Sequence, residues 1–200
     1  DPDPEPEKIV KVLLEAAKER LDSLLPAALI ARAKFAGITE LSLENLRQNA
    51  DHWLAPLLPG RRTLDLGKGK IAEAALGLLD WDRRTLLGRK APREYSTPAG
   101  THHAVDYTGD DAPSVEVRVQ AMFGLDTHPM IGTTPLLLKL TSPAGRPVQA
   151  TRDLPAFWRG SWNDVRKDMK GRYPKHRWPE EPWTEKPSLK TKNAFSKGQG

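Results

Sequence analysis

The chain has no cysteine among its 200 residues. That absence removes a disulfide framework, thiolate-bound zinc and cysteine nucleophiles together, and it fits a reducing compartment. Long apolar runs are missing too. A stretch such as Leu24 to Ala31 falls far short of the roughly 20 residues a membrane-spanning helix requires, and no signal-peptide core follows the acidic start. The chain reads as soluble, without a membrane partner, and its length leaves room for one ordinary domain or two small ones. The first residue is Asp1 and not methionine, which predicts a piece of something longer.

Charge is nearly balanced until it is located. The net +5 comes from the last fifty residues, where 12 Lys and Arg face 6 Asp and Glu; the first 150 carry 19 basic and 20 acidic groups. Clustered cations gain free energy by releasing counterions from a polyanion, so the asymmetry points to nucleic acid. A solvated surface with a basic tail would give the same count.

Residues 1–5 alternate proline with acids and read as an acidic linker. From Pro6 the apolar residues Ile9, Val10, Leu13, Leu14, Ala17 and Leu21 recur at helical spacing. Pro26 breaks that helix or starts the next, which Gly37 suits as a left-handed cap. Ser42 reads as an N-cap before Leu43, Leu46, Ala50, Trp53 and Leu54. Ile71 to Leu79 makes a further helix, and Asp82 can cap one more through Leu87. Residues 6–90 thus read as a helical subdomain.

After Pro92 the pattern changes. Glu94 to Ser96 and Thr101 to Tyr107 flank Thr97-Pro98-Ala99-Gly100, a turn in which proline presets φ and glycine accepts a positive φ, so a β-hairpin is expected. Pro113 precedes Val115, Val119, Met122 and Phe123 at helical spacing, predicting a helix closed by Gly124. Leu136 to Thr141 returns through Ser142-Pro143-Ala144-Gly145-Arg146 into Val148 to Thr151 as a second hairpin. Asp153 can cap a helix with Leu154, Trp158, Trp162, Val165 and Met169 on one stripe, and Arg159, Asn163, Arg166 and Lys170 on the adjacent one, ended by Gly171. The expected fold class is α+β: a helical N-terminal part, then two hairpins and helices forming a small mixed or antiparallel sheet over residues 91–183. Residues 184–200 read as a disordered basic tail.

Motifs for autonomous chemistry are absent. Gly67-Lys68-Gly69-Lys70 lacks the spacing and the Ser or Thr of a phosphate-binding loop, and no Gly-x-Ser-x-Gly elbow occurs. Neighbours on a strand face opposite ways, so His102-His103 does not chelate one metal. No cofactor is expected in this chain. The informative stretch is Thr151 to Trp183, where basic and aromatic residues interleave as in single-strand binders. Its candidate nucleic-acid contacts are Arg159, Arg166, Lys167, Lys170, Arg172, Lys175, Arg177 and Trp178. Trp158 and Trp162 lie on the apolar stripe and read as core; for Tyr173 and Trp178, packing and base stacking both stay open.

The same stretch resembles a known family. Ser142 to Gln149, Thr151 to Leu154, Phe157 to Gly160, Val165 to His176 and Trp178-Pro179-Glu180 look like the C-terminal end of HrpB-type bacterial helicases. Trp53 to Leu58, Leu79-Asp80-Trp81, Tyr95 to Gly100 and Met122-Phe123-Gly124 fit the same region in order, so the likeness runs from about Trp53 to Pro182. The resemblance implies a cytoplasmic DEAH/RHA-type ATP-dependent parent, a hydrolase acting on RNA, with ATP and magnesium in motor domains of the same chain. None of those motor motifs occurs here, so no catalytic residue carries over. The expected role is an accessory domain contacting nucleic acid through the basic helix and the segment after it; the alternative is a protein-docking module that clamps the motor domains or recruits a partner.

Overall fold

In the computed structural model, which describes residues 5–198, the chain divides into two compact units, Asp1–Ala91 and Pro92–Gly200. The acidic linker, apart from Glu5, lies outside the described residues, as do the last two residues of the basic tail.

The first unit is helical: α1 (Pro6–Glu19), α2 (Leu21–Leu24), α3 (Ala27–Ala36), α4 (Leu43–Gln48), α5 (Ala50–Trp53), α6 (Lys68–Leu76) and α7 (Trp81–Lys90). Breaks fall where the chemistry dictates. Pro26 lies between α2 and α3, and Gly37 takes the left-handed conformation at φ 70° after α3. Ser42 caps α4 by accepting the Asn45 N–H at 3.2 Å. The cap of α7 is Asp80, whose carboxylate accepts the Arg83 N–H at 2.8 Å, and not Asp82, which sits one residue inside the helix. Small buried residues, Ala17, Ala33, Ala36, Ala50 and Ala75, let the short helices approach closely around Leu21, Leu46, Leu54 and Ile71. Arg83 forms a two-pronged ion pair with Glu40 at 2.6 and 2.8 Å, and Arg32 donates to the Ala91 carbonyl.

The second unit is α+β. β1 (Glu94–Ser96) and β2 (His102–Ala104) pair antiparallel about the Thr97–Gly100 turn, with Gly100 at φ 82°. β3 (Ser114–Arg118) occupies the place where helical spacing predicted a helix. Val115 and Val117 are buried while Glu116 and Arg118 are exposed, a two-residue period reinforced by β-branching. Val119–Met122 follow as a 3-10 turn. A two-residue ribbon, β4 (Met130–Ile131) with β5 (Thr134–Pro135), leads into β6 (Leu137–Thr141) and β7 (Pro147–Thr151). The central sheet has the order β3-β6-β7 and is mixed: β3 runs parallel to β6, and β7 antiparallel to it.

Two helices and a returning segment complete this unit. Asp153 caps α8 (Leu154–Arg159), but the single helix expected to Met169 breaks at Gly160 and resumes as α9 (Trp162–Arg172). A Cβ on Gly160 would meet the Ala156 carbonyl oxygen at 2.9 Å. The apolar stripe survives the break, since Leu154, Trp158, Trp162 and Met169 are all buried. Gly171 stays helical; α9 ends one residue later, at Arg172. A 3-10 turn (Pro182–Thr184) closes the α+β stretch, and within residues 184–200, expected as a disordered tail, the structure places α10 (Lys192–Lys197). Gly124 explains part of that order: its N–H donates to the Pro182 carbonyl at 2.8 Å, and a side chain there would strike the Glu185 oxygen at 2.9 Å.

Trp162→Ala is expected to cost roughly 3–5 kcal/mol and Ser42→Ala about 1 kcal/mol, each read from urea unfolding. A Trp162→Ala loss comparable to that of the cap would show that the aromatic cluster is not the core of the second unit.

Candidate nucleic-acid interface

Five aromatic rings form the core beneath the candidate residues. Trp162 is fully buried, with Phe123, Phe157, Trp158 and Trp178 around it at centroid separations of 5.2 to 6.3 Å. Burying an indole strands its N–H unless a carbonyl meets it. Each one is met: Trp158 donates to Leu125 at 2.8 Å, Trp162 to Pro179 at 2.9 Å and Trp178 to Tyr173 at 2.9 Å. Trp178 therefore belongs to the core, and its ring is not available to stack on a base.

The basic candidates divide by what they already hold. Arg166 is largely buried, donating to the Trp178 carbonyl at 2.8 Å and to Glu180 at 3.1 Å. Arg177 donates to Glu185 and to the Lys186 carbonyl, both at 2.6 Å, and lies 3.6 Å from the Phe195 ring centre. Burial pushes its pKa down, and its Nε has no partner among the described residues. These two arginines fasten the segment after α9 and are not open to a ligand. Arg159 is half exposed but grips Asp126 with two bonds of 2.7 and 2.9 Å, and it lies 4.5 Å from the Trp183 ring centre. Those bonds hold the Asp126 carboxyl below its usual range.

The others stay on the surface. Arg172 bonds Asp168 one turn back at 3.0 Å, with over half of its side chain exposed. Lys167, Lys170 and Lys175 are exposed, and none has an ion pair or side-chain hydrogen bond among the described residues. Lys167 and Lys170 share the outer face of α9, while Lys175 follows its end. Sequence reasoning missed Arg118 and Arg146, both exposed and without ion pairs among the described residues. The sheet register brings them to one end: Arg118 aligns with Thr141, and Thr141 with Pro147. The Val-Glu-Val-Arg alternation was the signal for Arg118, read at the wrong period.

Two histidines brace this unit. His128 accepts the Leu154 N–H on Nδ1 at 3.0 Å, so its proton sits on Nε2 and is donated to the Leu136 carbonyl at 2.7 Å. It ties the start of α8 to Leu136, the residue just before β6. His176 bonds the buried Gln120 amide at 3.0 Å. Burial lowers the pKa of both, with the Arg118 charge adding to the effect at His176, while Asp153 partly opposes it at His128.

The second unit is thus an α+β fold built on buried tryptophans with cations outside, and among the described residues no group of three His, Asp or Glu is placed to hold a metal ion. A family model described as the ATP-dependent helicase C-terminal region, HrpB_C, matches residues 53–182, and the chain belongs to that family. It is 41% identical over 165 residues to the ATP-dependent RNA helicase HrpB of Escherichia coli K12, a match covering 81% of this chain and 20% of that protein. The crystal structure of the E. coli DExH-box NTPase HrpB superposes with a TM-score of 0.79 at 36% identity, over 92% of this chain and 25% of that one. A second crystal structure, of the E. coli DEAH/RHA helicase HrpB, gives 0.67 at 35% identity, over 88% and 24%. The chain thus spans between a fifth and a quarter of the length of these relatives.

Both histidines are lowered from the usual 6.5, so their contribution to stability is complete above about pH 6.5 and is lost as pH falls toward their folded values. Melting curves between pH 7.5 and 5 are expected to show that loss (both pH limits on the order of the histidine range), and His128→Gln to flatten part of it. An unchanged pH dependence in His128→Gln would remove His128 as a contributor.

Proposed function

We propose that this chain is the accessory C-terminal part of an RNA helicase and touches RNA through the outer face of α9 and the segment that follows. The observation that carries the reading is the set of cations with no ion pair among the described residues, Lys167 and Lys170 on the outer face of α9 and Lys175 after its end. A cation already held by a carboxylate must break that pair to serve a phosphate, whereas an unpaired one only releases solvent and counterions. RNA is the chosen nucleic acid because the E. coli relative is named an RNA helicase. The parent in this reading is cytoplasmic and hydrolyses ATP with magnesium in motor domains of the same chain; this region contributes no catalytic group.

Labelled single-stranded oligouridylate titrated against the chain at rising salt is the test. Affinity is expected to fall with salt by about 0.7 in the log–log slope per phosphate neutralised, and Lys167→Glu with Lys170→Glu to weaken binding at least about tenfold at low salt. Undetectable binding at low salt, or binding without a salt slope, would overturn the reading.

A second reading, docking onto the motor domains, is favoured by one feature of the first unit. An apolar groove of about 370 Å³ runs between α3 and α4, lined by Ile30, Ile38, Leu41 and Leu43. Ile30→Asp is expected to weaken association with the motor domains while leaving RNA affinity unchanged, as measured by pull-down and titration side by side. Intact association would remove this reading.

A further inference from the structure

We infer that the second unit holds a seat for one backbone phosphodiester of RNA, in the cleft between the β6–β7 turn and the C-terminal half of α9. This rests on the reading that the unit touches RNA, but it places a contact away from the lysine face. On α9 the cleft is lined by Val165, Asp168, Met169 and Arg172, at helical spacing on one side. Lys167 and Lys170 project from the other side of the helix.

The cleft encloses about 230 Å³. That is below the ~300–1,000 Å³ typical of pockets for whole small molecules, and it suits a single oxyanion carried on a chain that continues outside. Its lining is polar in character. Ser142 Oγ lies 3.1 Å from Tyr173 Oη and accepts the Arg146 N–H at 3.2 Å. Two hydroxyls joined by one hydrogen bond use one of their two protons, whichever donates. One O–H is left over at the cleft, on the buried Ser142 or on the half-buried Tyr173, and either can donate to an oxyanion seated there.

Charge points the same way. Arg146 and Arg172 line the cleft with Asp168, which is paired to Arg172, so the lining carries one net positive charge. Arg118 ends β3 in the same row of the sheet as Thr141 and Pro147, the residues flanking the turn. Cations on the last turn of a helix can be explained by its dipole. Arg118 and Arg146 belong to a strand and a turn, where that explanation does not apply. A guanidinium and a hydroxyl donor converging on a small cleft match a phosphate oxygen pair.

The test measures oligouridylate affinity and salt slope for the whole chain and three variants. Arg146→Ala is expected to weaken binding about tenfold and to lower the slope by about 0.7, one phosphate's worth. Ser142→Ala with Tyr173→Phe removes both hydroxyls and no charge, so it is expected to weaken binding several-fold with the slope unchanged. Lys167→Ala with Lys170→Ala serves as the comparison on the opposite face. Arg146 makes no side-chain hydrogen bond or ion pair among the described residues, so its variant is expected to melt as the parent does. If the parent binds and the lysine variant loses affinity while Arg146→Ala keeps both affinity and slope, the cleft is not a phosphate seat. Failure of the parent itself to bind would instead overturn the underlying RNA reading.

Discussion

The hydrogen bond that the second unit can least do without is the one from the Trp162 indole to the Pro179 carbonyl. Trp162 lies at the centre of the aromatic cluster with no exposed surface, so its N–H has no water to turn to. The acceptor comes from a segment beyond the end of α9. Chain that looks too rich in proline and charge to fold must therefore come back across the core. Once it does, Trp178 is buried, Arg166 can reach the Trp178 carbonyl, and Arg177 can bind Glu185 and the Lys186 carbonyl. The order of residues 173 to 187 follows from the need to satisfy buried indoles.

That requirement sorts the basic residues. Arginines are suited to bridging carbonyls and carboxylates because their planar fork keeps several donors in fixed directions. Arg159, Arg166 and Arg177 are used in this way within the unit. Lysines, with flexible stems and compact charges, remain outside on α9. The division shows why net charge overstates the surface available to a polyanion: much of the excess in the last fifty residues is spent internally.

Much of this fold was legible in the residues. Proline and glycine marked several helix ends of the first unit, although its breaks at Arg20 and Asn49 carry neither; the two Pro-Ala-Gly turns located both hairpins, and Ser42 and Asp153 were recognisable as caps. The failures are equally instructive. Val115, Val119, Met122 and Phe123 satisfy a helical period, yet Val115 and Val117 also satisfy a strand period. In so short an apolar run the sheet partner decides, and β6 is distant in sequence. Gly160 interrupts a stripe whose spacing is continuous, because the two helices keep facing the same core. At the candidate interface, composition identified the cations but could not tell engaged from free. That distinction depends on Asp126, Glu180 and Glu185, acids that look unremarkable until the chain folds. Arg118 was signalled only by an alternation read at the helical period and Arg146 by nothing local, since sheet register is what brings the two to one end.

The sheet order also bears on how the unit is assembled. β6 and β7 are joined by a turn of five residues, whereas β3 reaches its parallel place on β6 across 18. Loop-closure entropy rises with the length of intervening chain, and parallel pairing needs a crossover that must itself be ordered. The hairpin therefore closes at the lower entropic cost, and β3 adds to a template already in place. On a ribosome, the buried valines of β3 emerge before the strand that will cover them and wait unpaired until the chain has passed Thr141. The earlier part of the sheet is in this sense completed by the later one, and a nascent chain halted between them would display an apolar strand with no partner.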